Sequence, residues 1–417
     1  MCYEKIQVQF EKLSIKIEKL KKHIMKKPVL FAIAALAILA SCAKTEVVPT
    51  VNDNDQQISF QTAVSRQGTR ALIDGTVYPT GVPFGTFAYF NAQGTKFPTS
   101  AELYIPHSQV EYDTANNRWL DLTTPYYWPK QGSLTFFSYS PYAALSNVTD
   151  CSVTDGITIA TAADPWDVDM NQEVDILIAD YQTNQTKNVG NTTTYTNGVP
   201  TIFRHKLAQI AGISFKTAEK YHGDRDESTA QVGDKFFYVN SIKINNIEYK
   251  GNYKSGNDVS STQLGEWTVN TDTKSYTWYD VTAGTAFDDI AVKIVPEGGT
   301  ADLVSNKYLL VMPQKFDQPA DMDDLSGDKT IQITYTIKTC TGVEANNITF
   351  STETVKDVII PLWQIQGGTA TPTVADATPW SMNKKMTYTF TISLDQILWD
   401  PSVEEWDTTT DFTHTIK

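Results

Sequence analysis

In several segments of this chain after residue 43 apolar residues recur at every second position, and that period leaves few folds open other than sheets. Ile58, Phe60, Thr62 and Val64 alternate with polar partners. So do Ile242, Ile244 and Ile247 with one break, and Ile331, Ile333, Tyr335 and Ile337. Met386, Tyr388, Phe390, Ile392 and Leu394 form the last clear run. Each run reads as a half-buried strand. Turn signals stand between them, among them Asp74-Gly75, Gly132-Ser133, Asp155-Gly156, Gly256-Asn257 and Gly327-Asp328. Helical periodicity is almost absent after residue 43. The 20 Tyr and 9 Trp, with conspicuous Thr, suit a pleated surface. Short strands with frequent turns argue for an all-β chain built of sandwiches.

A chain of 417 residues suggests two domains once a leader is removed. Residues 184–200 are rich in Asn, Thr and Gly and carry no apolar periodicity. A boundary is therefore expected near 186–202, giving an N-terminal sandwich over 57–200 and a C-terminal one over 201–417. Residues 203–215 read as one strand that opens the second domain. Residues 42–56 are polar, with Pro49 and several Asn and Asp, and read as a tether.

Residues 1–41 read as a signal region. Lys26-Lys27 is a basic start, 29–40 is an apolar run, and small residues follow. A helix needs about 20 apolar residues to cross a bilayer, so this run is a signal peptide and not an anchor. Leu39-Ala40-Ser41-Cys42 resembles the bacterial lipobox, which implies cleavage before Cys42 and lipidation of its thiol. Cysteine is required there because a thiolate attacks the lipid donor readily. Residues 1–24 are Lys-rich, and Met25 begins a signal peptide of ordinary length, so either Met25 is the true start or the n-region is unusually long.

Net charge is −14. Residues 1–41 hold eight lysines and three acids, a surplus of five, so the remainder carries −19. Such a surface repels nucleic acid and anionic lipid heads, and no nucleic-acid partner is expected. Cys151 and Cys340 lie in the folded part; they either pair or remain as separate thiols, and separate thiols are expected. No Cys/His cluster, nucleophile elbow, Walker loop or His-Glu-x-x-His occurs, so neither an enzyme nor a cofactor or metal is expected. His205 reads as a packed structural residue. Asp167, Asp169 and Asn171 match the first ligand positions of a calcium loop, but Gln172 and Ile178 stand where it needs Gly and Glu.

Several segments in order resemble the Bacteroidales fimbrillin family, the type V pilins and their relatives. After the lipobox come Thr69-Arg70-Ala71, Ile73-Asp74-Gly75, and Phe84-Gly85-Thr86-Phe87-Ala88-Tyr89. Tyr127-Trp128-Pro129, Leu134-Thr135-Phe136-Phe137-Ser138-Tyr139-Ser140-Pro141 and Val174-Asp175-Ile176-Leu177-Ile178-Ala179 follow. Next are Phe203-Arg204-His205-Lys206-Leu207-Ala208, Tyr308-Leu309-Leu310-Val311-Met312-Pro313-Gln314 and Trp399-Asp400-Pro401-Ser402-Val403-Glu404-Glu405-Trp406. The resemblance implies two transthyretin-like β-sandwiches in a subunit of an outer-membrane, cell-surface fimbrium. It also implies assembly by strand exchange. A protease cuts after an arginine, here Arg70 or Arg66, and removes the first strand, residues 57–64. An extended segment of another subunit then fills the slot.

Residues 386–417 are the candidate donor, with Tyr388, Phe390, Ile392, Leu394, Ile397, Trp399, Val403 and Trp406 as groove-filling side chains. The other reading of this segment is that it completes its own domain. Expected partners are other fimbrial subunits, of the same or a related chain, and membrane lipid through Cys42. Two further roles remain open: an adhesive tip or accessory subunit whose aromatic side chains stack on a host glycan or meet a host protein, and an anchor that keeps its lipid.

Overall fold

The computed structural model describes residues 57–64, 78–169, 174–187, 198–256, 265–280, 292–293, 301–302, 308–345, 347–366, 379–394 and 397–405. Along the first half run β1 (Phe60–Val64), β2 (Phe84–Asn91), β3 (Glu102–Asp113), β4 (Arg118–Leu120) and β5 (Ser133–Ser140). The one-turn helix α1 (Tyr142–Leu145) precedes β6 (Thr149–Ser152), β7 (Gly156–Ile159), β8 (Trp166–Asp167), β9 (Leu177–Ala179), β10 (Gln182–Gln185) and β11 (Val199–His205). The second half begins with β12 (Ala208–Thr217), β13 (Lys235–Glu248), β14 (Lys250–Lys254), β15 (Glu266–Val269), β16 (Thr273–Asp280), β17 (Val292–Lys293) and β18 (Ala301–Asp302). It ends with β19 (Leu309–Val311), β20 (Thr330–Glu344), β21 (Asn347–Pro361), helix α2 (Leu362–Ile365), β22 (Lys384–Ile392) and β23 (Ile397–Glu405). The regular structure of the described residues is nearly all strand, with two one-turn helices, as the alternation requires.

An eight-stranded sheet in the order β10-β5-β2-β3-β4-β1-β11-β9 makes up most of the first half. It closes on itself, because β9 also pairs with β5 through Tyr139↔Ile178 and Ser140↔Leu177. Phe60, Phe84, Val110, Trp119, Phe136 and Phe203 fill its interior. β5 is buried along its whole length. Leu134 and Phe136 face that interior, whereas Phe137 and Tyr139 belong to a second core on the other face. A strand covered on both faces loses its alternation, which is why Leu-Thr-Phe-Phe-Ser-Tyr-Ser reads as a continuous run.

The second half is a sandwich. One sheet runs β18-β12-β22-β23 with β19 on β12, and the other runs β16-β13-β20-β21 with β17 on β13. Ile213, Phe215, Tyr388 and Phe390 from the first pack on Ile242, Ile244, Ile331 and Ile333 from the second. The break seen at Ile247 is a bulge in the pairing of β13 with β16. Asn246 stands there at φ 57°. A fourth sheet, β15-β14-β7-β6 with β8 on β14, takes strands from both halves.

The segment read as a single strand over 203–215 is two strands. Phe203–His205 finish β11 in the closed sheet, and Ala208 starts β12 in the sandwich. Lys206 and Leu207 carry the chain across; Leu207 packs in the core beside the shared sheet. Both strands are buried at their junction, so the apolar pattern shows no interruption.

Candidate functional site

The first strand lies inside the closed sheet, not at a free edge. β1 runs parallel to β11, with Phe60↔Val199 through Val64↔Phe203 in register. On its other side it meets β4 at a single pair, Phe60↔Trp119. Just before it, Gln57 bridges Tyr127, and the Ile58 N–H donates to the Tyr126 carbonyl at 2.8 Å. Removing this strand would open the sheet between β4 and β11 and leave backbone groups unpaired on both flanks.

The slot beneath β1 is aromatic. The Phe60 ring stands edge-on to Phe84 at 5.5 Å and to Phe136 at 5.6 Å. Tyr78 stacks on Phe203 at 4.7 Å and meets Trp119 at 5.2 Å. Its hydroxyl is 2.6 Å from Ser140 Oγ. Burial pushes the Tyr78 phenol up, so it stays neutral in the slot wall. Ile58 and Phe60 are buried at 3% and 4% exposure, while Ser59 and Gln61 are half-buried. Gly198 lets β11 begin this close to β1, since a Cβ there would sit 2.8 Å from the Phe60 carbonyl carbon. The sequence carried the alternation of β1, but nothing in it marked Tyr126, Trp119 or Gly198 as its neighbours.

Of the other residues singled out, Tyr388, Phe390 and Ile392 lie on β22 and are fully buried in their own core. β22 is a central strand, parallel to β12 on one side and antiparallel to β23 on the other. Leu394 lies past the end of β22 and is 47% exposed, so it fills no core. Ile397 is buried at the start of β23. Trp399 and Val403 stand in β23 opposite Phe390 and Met386. β23 has β22 as its neighbour and forms the end of its sheet among the described residues. Cys42, Arg66, Arg70, Trp406 and the leader lie outside the described residues.

A closed sheet that incorporates its own first strand, followed by a sandwich with a terminal edge strand, is the geometry to set beside known proteins. A fimbrillin-like family model matches residues 69–406. The chain belongs to the fimbrillin-like family. A fimbrial protein from Bacteroides vulgatus has the same fold at a TM-score of 0.54 and 17% identity, over 84% of this chain and 99% of that one. A putative cell adhesion protein from Bacteroides uniformis aligns over 84% and 99% at 14% identity and a TM-score of 0.38. The tip fimbrial protein Mfa3 from Porphyromonas gingivalis, with a C-terminal truncation, aligns over 84% and 100% at 11% identity and 0.35. These last two resemble the chain too loosely to inform it. No curated protein sequence matches it.

Several buried or half-buried polar groups of this fimbrillin-like chain pair with one another. His205 ends β11 at 1% exposure, with Nδ1 2.8 Å from Asp175 Oδ2. Arg204 donates to Asp180 from Nε at 2.7 Å and Nη2 at 2.9 Å, tying β11 to the end of β9. Asp167 and Asp169, weighed as calcium ligands, face Lys250 and Lys274. Among the described residues no three His, Cys, Asp or Glu side chains gather as a metal site. Cys151 and Cys340 are separate buried thiols, and burial pushes the Cys151 thiol up. Trp119, Trp128, Trp166, Trp278, Trp363 and Trp380 are all buried and Trp267 is half-buried, so these seven pack against cores.

Proposed function

We propose that this chain is a structural, non-enzymatic subunit of a cell-surface fimbrium, assembled by removal of β1 and insertion of a strand from another subunit. The observation that supports it most is the position of Phe60–Val64 within a closed sheet, over an aromatic slot, a few residues ahead of Arg66 and Arg70. Export would use the leader and lipidation at Cys42, which tethers the precursor to the outer membrane. A cut after Arg70 or Arg66 frees the strand. On this reading residues 57–205 and 208–405 correspond to the two expected sandwiches, with the division at Lys206-Leu207.

The donor is narrowed by topology. β22 has neighbours on both sides and its side chains hold its own core, so β23 is the segment that can peel away. Position by position, Ile397, Trp399, Pro401 and Val403 repeat the character of Ile58, Phe60, Thr62 and Val64. The proline is acceptable in that register. The Ser59 carbonyl accepts from Val199 N–H, so Ser59, Gln61 and Ala63 turn their backbone groups to β11, and Thr62 turns its own toward β4. Pairing with β4 ends at Phe60↔Trp119. A residue without an N–H therefore loses no ladder bond at that position.

β12 and β21 carry similar patterns, Ile213-x-Phe215-x-Thr217 and Ile348-x-Phe350-x-Thr352. Each is held more firmly. β12 is paired on both flanks, and β21 runs from its hairpin with β20 straight into α2, whose Leu362, Trp363 and Ile365 are buried.

Peptide displacement tests this on the full chain nicked by a trypsin-like protease. An isotope-labelled peptide of residues 57–70 should exchange into the slot, and a 395–406 peptide should displace the resident strand, both read by native mass spectrometry. Exchange of the first without displacement by the second removes β23 as donor. Exchange of neither removes strand exchange itself.

A further inference from the structure

The fourth sheet belongs to neither half alone. β6 and β7 precede the Lys206-Leu207 crossing, and β14 and β15 follow it. They meet where β7 pairs with β14 through Ile159↔Tyr253 and Thr158↔Lys254. β8 pairs with β14 as well, through Asp167↔Lys250 and Trp166↔Gly251. Backbone hydrogen bonds continue past the strand ends: Ser255 N–H to the Ile157 carbonyl at 2.8 Å, Gly256 N–H to the Asp155 carbonyl at 2.9 Å, and Val168 N–H to the Tyr249 carbonyl at 2.9 Å.

Side chains close the same junction. Ile157 N–H donates to Ser255 Oγ at 2.7 Å, and the Tyr181 hydroxyl donates to the Gly256 carbonyl at 2.7 Å while contacting Ser255 Oγ. Trp267 Nε1–H donates to the Lys206 carbonyl at 2.6 Å, on the crossing itself. Lys250 lies 4.0 Å from Asp167, and Lys274 pairs with Asp169. Beneath the sheet one core takes Phe137, Ile157 and Trp166 from the first half and Tyr253, Leu310 and Met312 from the second. The fit is tight enough to require glycine. Gly156 sits at φ +63°, and a Cβ there would lie 2.1 Å from the Gly256 carbonyl oxygen.

We infer that this shared sheet is a force-transmitting joint that makes the described residues between 57 and 405 one folding and mechanical unit, with no hinge between the two halves. The functional side of the inference rests on the strand-exchange reading. In such a fibre tension enters the subunit at the β1 slot and leaves it at β23, in the other half. The covalent crossing at Lys206-Leu207 would transmit the pull but would let two independent sandwiches swing apart. A common sheet with a common core resists that separation, because the halves cannot part without exposing apolar surface and breaking the β7–β14 ladder together.

The test is pulse hydrogen exchange with mass spectrometry on the full chain across a guanidinium series. Peptides covering β5 and β22 report the two halves. The expected result is that both become exchangeable at one midpoint. The variant carrying Thr158→Cys and Lys254→Cys, oxidised across the joint, should shift both midpoints upward by the same amount. In Gly156→Val the midpoints should separate. If that variant does not fold, the wild-type and the oxidised double variant decide the matter alone. Two distinct midpoints in the wild type, or an oxidised variant that moves one half only, overturns the inference. This readout does not involve assembly, so a failure of the strand-exchange reading would leave the single folding unit standing and remove only its role in carrying tension.

Discussion

His107 lies half-buried on β3, its ring stacked on Phe87 at 4.7 Å and 3°, with Nε2 2.5 Å from the Tyr139 hydroxyl. Burial lowers its pKa below the ordinary 6.5, and Asp150 opposes this more weakly. A neutral ring can accept a hydrogen bond from the Tyr139 hydroxyl, which burial keeps protonated. The folded state then binds fewer protons at His107 than the unfolded state does. This contribution to stability is complete above the unfolded value and declines as pH falls below it toward the lowered one. Denaturant midpoints measured from pH 8 to pH 5 should fall more steeply for the wild type than for His107→Phe. Little of this was legible in the sequence. His107 and Tyr139 are 32 residues apart, as Tyr78 and Ser140 are 62 apart, and hydrogen bonds over such distances leave no local pattern. His205 was legible as a packed residue, but not its pairing with Asp175.

Alternation identified β1, β13, β20 and β22 because each has one face toward a core and a different environment behind it. Its phase also placed the inward side chains of β1. Phe60→Ala should cost about 3–5 kcal/mol, since it empties a site between two perpendicular rings. The cost should fall on β1 itself: in the nicked full chain the 57–70 fragment should dissociate faster than from the wild type, measured by native mass spectrometry. Where two strands meet in a continuously buried stretch the same signal fails, and across His205 to Ile210 β11 and β12 ran together as one. Alternation was equally unable to tell a donor from a strand that completes its own sheet, because both bury every second side chain. Pairing favours β23 over β22 for the proposed donor role. β22 has two neighbours and β23 has one, and only a strand with a free flank can leave without dismantling its sheet.

At the scale of the molecule, the all-β class was readable from the period and the turns, and the ordered family motifs run nearly the full length that the fimbrillin-like model matches. The boundary was harder. Residues 184–200 look like a linker by composition, yet β11 behind them returns to the first sheet, and the strands that stitch the halves lie far from it in sequence. The shared sheet depends on pairings such as Thr158 with Lys254, nearly a hundred residues apart, which no local pattern announces. Residues 42–417 carry a net −19, a charge that makes copies of the chain repel one another and disfavours contacts other than specific ones. The most direct measurement of the central claim is the N-terminus of this protein in fimbriae isolated from native cells, by intact and peptide mass spectrometry. The account predicts a chain beginning at Ala71 or Gln67, with β1 gone. A chain in assembled fimbriae that begins at a lipidated Cys42 and retains residues 57–64 would contradict it.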